Sequence, residues 1–316
     1  MSKIILSTRT FRPEFIAQIE RIAPDYQFKT AEENFSWEDV EITIGWSKKW
    51  QSALSEDAAR QLKWVQAISA GVDYLPLQEF QEKNILLSNG SGIHSQSITE
   101  HILAMILIKT RNIHHAIQNQ QKKQWDMPDI RYSYLAEQRF LILGTGHIGQ
   151  RLAQTLTLLG AQPVGINTSG HLAKGFHETY AMGQLSEEIP KADFIINILP
   201  LTEETTHLFD AKFFASMKKT AAFINVGRGA NVDTDAITHA LQTKQLDFAA
   251  LDVFEEEPLP EDHPLWRMPN VLITPHIAGI TPHFQRAFME IFTENLRSYV
   301  TSNSLIRNEV VLNKGY

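Results

Sequence analysis

The chain has 316 residues, 43% of them hydrophobic and 21% charged, with a formal net charge of −7 and no cysteine. That length suits one large or two ordinary domains, and the composition lies near globular averages, so a sizeable core is expected. The acidic balance argues against a general nucleic-acid binder, and the lack of cysteine excludes disulfides, thiolate metal sites and cysteine nucleophiles while fitting a reducing compartment.

At the start of the chain only Ile4 to Leu6 form a strongly apolar run, shorter than a secretory signal needs. The longest such run, Ile102 to Ile108, is too short to span a bilayer, so a soluble, cytoplasmic protein without a membrane partner is expected. Before residue 98 the apolar runs KIIL, EITIG, LKWVQAIS and NILLSN accompany a helix-like PEFIAQIERIAP, a pattern that predicts β/α units. The stretch from Ser97 to His115 predicts one strongly apolar helix that ends in basic and His residues, as a helix C-terminus favours. Residues 116–138 are polar, with Trp125, a proline and several glutamines, and are expected to form a loop or arm. From residue 139 six strands (FLILG, QPVGIN, DFIINIL, AAFINV, DFAALDV, NVLITP) are separated by helical spacers, the sequence form of a doubly wound parallel sheet. The amphipathic PHFQRAFMEIFTENLRSYV closes the chain and is expected to cross back to the first domain. The predicted fold class is α/β, with two Rossmann-like domains.

FLILGTGHIG, from Phe140 to Gly149, reads as a buried strand entering a Gly-x-Gly-x-x-Gly turn at Gly144, Gly146 and Gly149, with a helix pattern following at once. In a dinucleotide site the first glycine permits the tight turn, the second lets backbone approach a pyrophosphate, and the third lets helix pack on strand. The helix N-terminus would aim its N–H groups at that anion. The competing reading is a tight strand-to-helix turn and nothing more. An NAD-selective site usually carries Asp or Glu after the second strand. Here PVGIN ends at Asn167 and continues with Thr168 and Ser169, so no carboxylate is present to repel a 2′-phosphate. Asn, Thr and Ser can donate hydrogen bonds to a phosphate, and His171 and Lys174 follow closely. NADP is therefore expected ahead of NAD, with a polar turn that tolerates both as the alternative.

Three later strand ends carry reactive side chains: Arg228 in FINVGRG, Asp252 and Glu257 in FAALDVFEEEPLP, and His276 in NVLITPHIAG. In open parallel sheets ligands bind beyond the carboxyl ends of strands, so all three segments would face a cofactor crevice. Arg can grip a carboxylate with two prongs and polarise a neighbouring carbonyl. His can hand over a proton near neutral pH, and an adjacent Glu orients the ring and favours its charged form. Taken singly, Arg228 is equally a surface turn residue, Glu257 part of a solvated acidic run, and His276 a helix-cap partner. Their joint occurrence downstream of a dinucleotide turn is what points to ketone reduction.

With these residues in view, the sequence resembles the D-isomer-specific 2-hydroxyacid dehydrogenase family, within it the glyoxylate/hydroxypyruvate reductase-like branch. The resemblance covers roughly residues 40–300 and rests on SAGVDYLP, SITEHILAMIL, LILGTGHIG, ILPLTEETTHL, INVGRGANVD, ALDVFEEEPLP, HPLW and TPHIAG in the family's order. It implies that Arg228 binds substrate carboxylate and carbonyl, that His276 is the acid/base and that Glu257 is its partner. Ala70, Gly71 and Val72 match the loop whose N–H groups hold the carboxylate, and Trp46 resembles a pocket-lining position. His147 and Ile148 match positions over the pyrophosphate, and Leu199, Pro200 and Thr205 the cofactor loop. Val226, Gly227, Asp252 and Gly279 match positions near the nicotinamide, and the segment at Thr99 runs near the cofactor in relatives. The implied organisation is a smaller, flavodoxin-like substrate domain (1–97 plus 283–316) and a larger dinucleotide-binding domain (98–282).

Departures from the family pattern sharpen the expectation. The commoner acidic residue after the second strand is missing, which supports NADP. Formate dehydrogenases of the superfamily carry Gln at the position of Glu257, so formate is not expected. Phosphoglycerate dehydrogenases often bear a C-terminal regulatory domain, for which this chain is too short. The expected activity is reduction of a small 2-oxo acid such as glyoxylate or hydroxypyruvate to the D-2-hydroxy acid, with the substrate as small-molecule partner. No metal is expected. The alternative is a dinucleotide-sensing binding protein that kept the fold and lost turnover. The polar arm resembles the dimer-forming region of relatives, so a homodimer is expected. Pocket size depends on the loops around Trp46, Tyr74 and Met127.

Overall fold

The computed structural model describes residues 3–126 and 132–313; Met127, grouped above with the pocket loops, lies outside the described residues, as does part of the expected arm. Residues up to Ile93 together with those from Thr281 form one compact unit, and His94–Ile280 form the other.

In the first unit five strands, β1 (Lys3–Ser7), β2 (Tyr26–Thr30), β3 (Val40–Ile44), β4 (Trp64–Gln66) and β5 (Leu86–Ser88), form a parallel sheet. Their order is β2-β1-β3-β4-β5, that of flavodoxin-like sheets. The sequence reading did not find β2. It is an edge strand with one buried residue in five, so it lacks the apolar run that marks β1 and β3. The last helix, Phe284–Ser302, belongs to this unit and buries Phe288, Phe292, Leu296 and Tyr299, apolar positions three and four apart. Phe292 stacks on Trp64 of β4 with ring centroids 5.1 Å apart. Burial of each such ring contributes about 1.5–3 kcal/mol, which is ample to pin the helix to the sheet.

The second unit carries seven parallel strands: β6 (Phe140–Leu143), β7 (Val164–Asn167), β8 (Glu178–Ala181), β9 (Phe194–Asn197), β10 (Ala222–Asn225), β11 (Phe248–Leu251) and β12 (Val271–Ile273). The order is β12-β11-β10-β9-β6-β7-β8, so the winding reverses between β6 and β9. That reversal leaves the crevice at strand carboxyl ends where doubly wound sheets bind ligands. Strands β6, β7, β9, β10 and β11 are buried at every position, which is why they read as continuous apolar runs. The half-buried edge strand β8, ETYA, has no such run and was not among the six expected.

The single helix expected from Ser97 to His115 is two helices, Ser95–Thr110 and Ile113–Gln121. Asn112, at φ +57°, turns the chain between them. Asn visits this left-handed region more readily than other side chains, so the break falls there. The second helix takes in residues 116–121, part of the stretch expected as loop. Among the described residues no helix is long and apolar enough to cross a membrane.

Glu41, with a side chain only 12% exposed, ties the first unit together. It accepts hydrogen bonds from Tyr26 Oη (2.5 Å) and Tyr299 Oη (3.0 Å) and pairs with Lys3 Nζ at 2.9 Å. Burial alone would raise its pKa, but the bonds from Lys3, Tyr26 and Tyr299 outweigh it and hold the carboxyl below its ordinary value. Its contribution is therefore complete above the unfolded-state pKa, near 4.5, and is lost as pH falls through the lower folded value. Glu41→Gln is expected to destabilise the protein by about 1–3 kcal/mol at pH 7. Denaturant melts repeated down to pH 3 should show the gap from the parent closing, and a constant gap would refute the role.

Candidate active site

The three glycines after β6 meet three different constraints. Gly144 has φ +105°, a conformation that side chains resist. A Cβ on Gly149 would lie 2.0 Å from the Gly144 carbonyl oxygen, so only glycine lets this helix start so close to the strand. A Cβ on Gly146 would meet no atom within 4 Å; the fold itself makes no demand there. The helix His147–Leu158 begins immediately, and its first backbone bond runs from Gln150 N to Gly146 O at 2.9 Å. The N–H groups of His147, Ile148 and Gly149 precede that bond and crown an open helix N-terminus beside Gly146. An open glycine and a free helix end together fit a pyrophosphate.

At the end of β7, Asn167 is nearly buried and its amide is fully engaged. Its Oδ1 accepts from Ser169 N (3.2 Å) and Gly170 N (2.7 Å), and its Nδ2 donates to Thr145 Oγ1 (3.1 Å) and His171 O (2.8 Å). Asn167 thus shapes the turn, while Thr168 and Ser169 are exposed on it. On the other side of β6, Leu199 is buried, and Thr205 Oγ1 donates to Pro200 O at 2.7 Å and accepts from Thr202 N at 2.8 Å, closing the loop after β9.

Arg228, Glu257 and His276 follow β10, β11 and β12, three adjacent strands. His276 Nδ1 lies 2.8 Å from Glu257 Oε2, and Glu257 Oε1 accepts from Phe254 N at 3.0 Å. The same acidic run contains Glu255, which turns away to His207 Nε2 (2.6 Å) and Thr234 N (2.8 Å). Arg228 Nη1 donates to Gly227 O at 2.9 Å. Val226 is buried, and a Cβ on Gly227 would press on Asn197 Nδ2 and Leu199 O, both 2.8 Å away. Asp252, 2% exposed, receives Ile277 N, Ala278 N (each 3.0 Å) and Thr274 Oγ1 (2.5 Å), and so serves the loop that carries His276. Gly279 O meets His94 Nδ1 at 2.7 Å; burial pushes His94 to a lower pKa, only partly opposed by that bond.

In the first unit, Ser69 Oγ donates to Gly71 O (2.8 Å) and Asn89 Nδ2 to Ala70 O (2.9 Å), so the carbonyls of this loop are held by the protein. Val72 is buried. Trp46 is half-buried, edge-on to Phe80 with centroids 5.1 Å apart, whereas Tyr74 is 45% exposed. Sequence reasoning missed Asn197, Asn225 and Asn231, all buried behind Arg228. For Asn197 and Asn225 the available signal was their place as the last residue of an apolar strand, FIIN and AFIN, as Asn167 is in VGIN; Asn231, in the turn after Arg228, had none. Among the described residues no group of three or more His, Asp or Glu could hold a metal ion.

A doubly wound sheet with this glycine turn, plus an Arg and a His–Glu pair at neighbouring strand ends, has the make-up of a dinucleotide-dependent oxidoreductase. The profile of the D-isomer specific 2-hydroxyacid dehydrogenase NAD-binding domain matches residues 103–278, and the chain belongs to that family. It is 32% identical over 294 residues to glyoxylate/hydroxypyruvate reductase B of Escherichia fergusonii, covering 91% of this chain and 89% of that protein. Its fold is similar to the NADPH-dependent glyoxylate/hydroxypyruvate reductase of Sinorhizobium meliloti, solved with NADP and sulfate, at TM-score 0.83 and 26% identity, covering 99% of this chain and 100% of that one. It is also similar to the phosphoglycerate dehydrogenase of Lactobacillus plantarum, at 42% identity and TM-score 0.59, covering 98% and 100%.

Gly146→Ala and Gly149→Ala separate folding from binding. Gly146→Ala should melt within about 0.5 kcal/mol of the parent yet bind NADPH at least about tenfold more weakly by fluorescence titration. Gly149→Ala should lose stability outright. Unchanged NADPH affinity in Gly146→Ala would remove the pyrophosphate from this turn.

Proposed function

We propose that the protein reduces a small 2-oxo acid, such as glyoxylate or hydroxypyruvate, to the D-2-hydroxy acid, with NADPH preferred over NADH. The observation that carries this reading is the 2.8 Å contact between His276 Nδ1 and Glu257 Oε2. With Nδ1 committed to Glu257, Nε2 is the nitrogen left to deliver a proton to the substrate oxygen. Glu257 fixes the ring, and its own second oxygen is fixed by Phe254 N. Arg228 is assigned to the substrate carboxylate and carbonyl, where a guanidinium fork binds and polarises together. Ala70, Gly71 and Val72 are assigned to the carboxylate through their N–H groups, and Trp46 to the pocket wall. When bound, the nicotinamide supplies the hydride.

NADPH preference is supported by Thr168 and Ser169, which stand exposed after β7 where no carboxylate occurs, and by exposed His171 and Lys174 close behind. The named relatives support the substrate class, and the phosphoglycerate dehydrogenase likeness adds 3-phosphoglycerate to the compounds worth testing. The proposal includes a cytoplasmic homodimer. The dimer is supported by the exposure of the rings of Trp125, Tyr132 and Tyr134.

Loss of NADPH absorbance with glyoxylate, hydroxypyruvate and a bulkier 2-oxo acid, run beside NADH and beside oxidation of 3-phosphoglycerate, tests the reading. Turnover should favour NADPH, and His276→Ala should lower kcat by about 10²–10⁴. Full activity in His276→Ala would overturn the acid role. Tight dinucleotide binding without turnover on any of these compounds would favour the sensing alternative instead.

A further inference from the structure

Behind Arg228 lies a cluster of three asparagines that the chemistry above does not use. Asn197 ends β9, Asn225 ends β10, and parallel register sets the two directly side by side. Asn231 follows in the turn after Arg228. Their exposures are 0, 1 and 0%, so each polar atom must find a partner inside the protein. Asn197 Nδ2 donates to both Asn225 Oδ1 (2.9 Å) and Asn231 Oδ1 (3.0 Å), while its Oδ1 accepts from Leu199 N (3.0 Å). From this hub two arms reach out. Arg228 is gripped at both backbone atoms: its N donates to Asn231 Oδ1 (3.0 Å) and its O accepts from Asn225 Nδ2 (3.2 Å). The loop after β9 is gripped by Asn231 Nδ2, which donates to Thr205 O (3.2 Å) and Pro200 O (3.4 Å).

We infer that Asn197, Asn225 and Asn231 are positioning residues that lock the Arg228 turn and the Leu199–Thr205 loop into one rigid piece. The inference rests on the reading that Arg228 binds the substrate carboxylate and that this loop seats the dinucleotide. Plain packing would not need amides here. An Asn offers an acceptor and a two-hydrogen donor in one small plane, which lets one residue hold an N–H and a carbonyl of different segments at once. Buried polar networks with every member satisfied are rigid, and small errors in the placement of a binding group are costly in rate.

Near-isosteric acids cut the arms separately. Asn225→Asp keeps the bonds from Asn197 and Gly227 N but turns an oxygen towards Arg228 O. At pH 8 its KM for glyoxylate should rise about tenfold, while its Kd for NADPH stays within about twofold. A buried carboxyl titrates high, so on lowering the pH it should regain a proton and its donor. The ratio of its kcat/KM to that of the parent, taken at each pH, should then climb back towards one. Asn231→Asp keeps an acceptor for Arg228 N but opposes Thr205 O and Pro200 O, and should instead raise the NADPH Kd about tenfold. If Asn225→Asp does not fold, Asn225→Ser should give the same KM rise without the recovery. Parental KM and Kd in the soluble variants, with only a lower melting temperature, would overturn the inference. Arg228→Lys distinguishes the two levels: a raised KM there with silent asparagine variants defeats the positioning role alone, whereas no turnover in the parent on any 2-oxo acid of the panel above defeats the functional reading itself.

Discussion

The carboxylate of Asp252, immediately after β11 and 2% exposed, is the constraint around which the loop carrying His276 is built. A buried carboxylate is costly unless its oxygens are satisfied, and here they take the N–H groups of Ile277 and Ala278 and the Thr274 hydroxyl. The main-chain oxygen of the same residue accepts His276 N at 2.8 Å. His276 is thus held at φ +53°, a left-handed conformation that is uncommon outside glycine but that His tolerates better than most side chains. The ring then meets Glu257 Oε2 at 2.8 Å. Were Asp252 absent, nothing else among these contacts would bind residues 274, 277 and 278 to one point.

The same logic governs the neighbouring strand ends. In a parallel sheet every carboxyl end lies on one edge, so a polar side chain that ends one strand can serve both its own turn and the turn next door. Strand β7 ends in Asn167, β9 in Asn197 and β10 in Asn225, each of which accepts a backbone N–H two residues on. Such Asx-type bonds turn the chain sharply off the strand. The framework is made by these amides, while the helix end at Gly146 stays open and Thr168 and Ser169 stay exposed.

Much of this was legible in the chain. The fully buried strands announced themselves as apolar runs, and the glycine spacing with its strand and helix marked the dinucleotide turn. The edge strands β2 and β8 did not, because strands buried on neither face show no such run. The break at Asn112 was hidden since apolar periodicity continues across it and only the left-handed turn ends the helix. Asn167 was legible as a polar residue at the right place, but its commitment to Thr145, His171 and the turn depends on residues up to 22 positions away. The acidic run Glu255–Glu257 shows the limit most clearly. By side-chain type the three carboxylates are equal, and only the family pattern singled out Glu257; in the folded chain Glu255 is taken by His207 and Thr234 and Glu257 by His276.

By itself the sequence determined the α/β class, the glycine turn, the absence of a carboxylate after the second strand and the candidate set Arg228, Glu257 and His276. These are local properties: periodicity, backbone permissiveness and side-chain type are written within a few neighbouring positions. Only the tertiary structure decided the pairing of His276 with Glu257, the anchoring of their loop on Asp252 and the three-asparagine hub behind Arg228. Each of those joins residues from different strands, and sheet register, set by packing of the whole core, is what brings them within hydrogen-bonding distance.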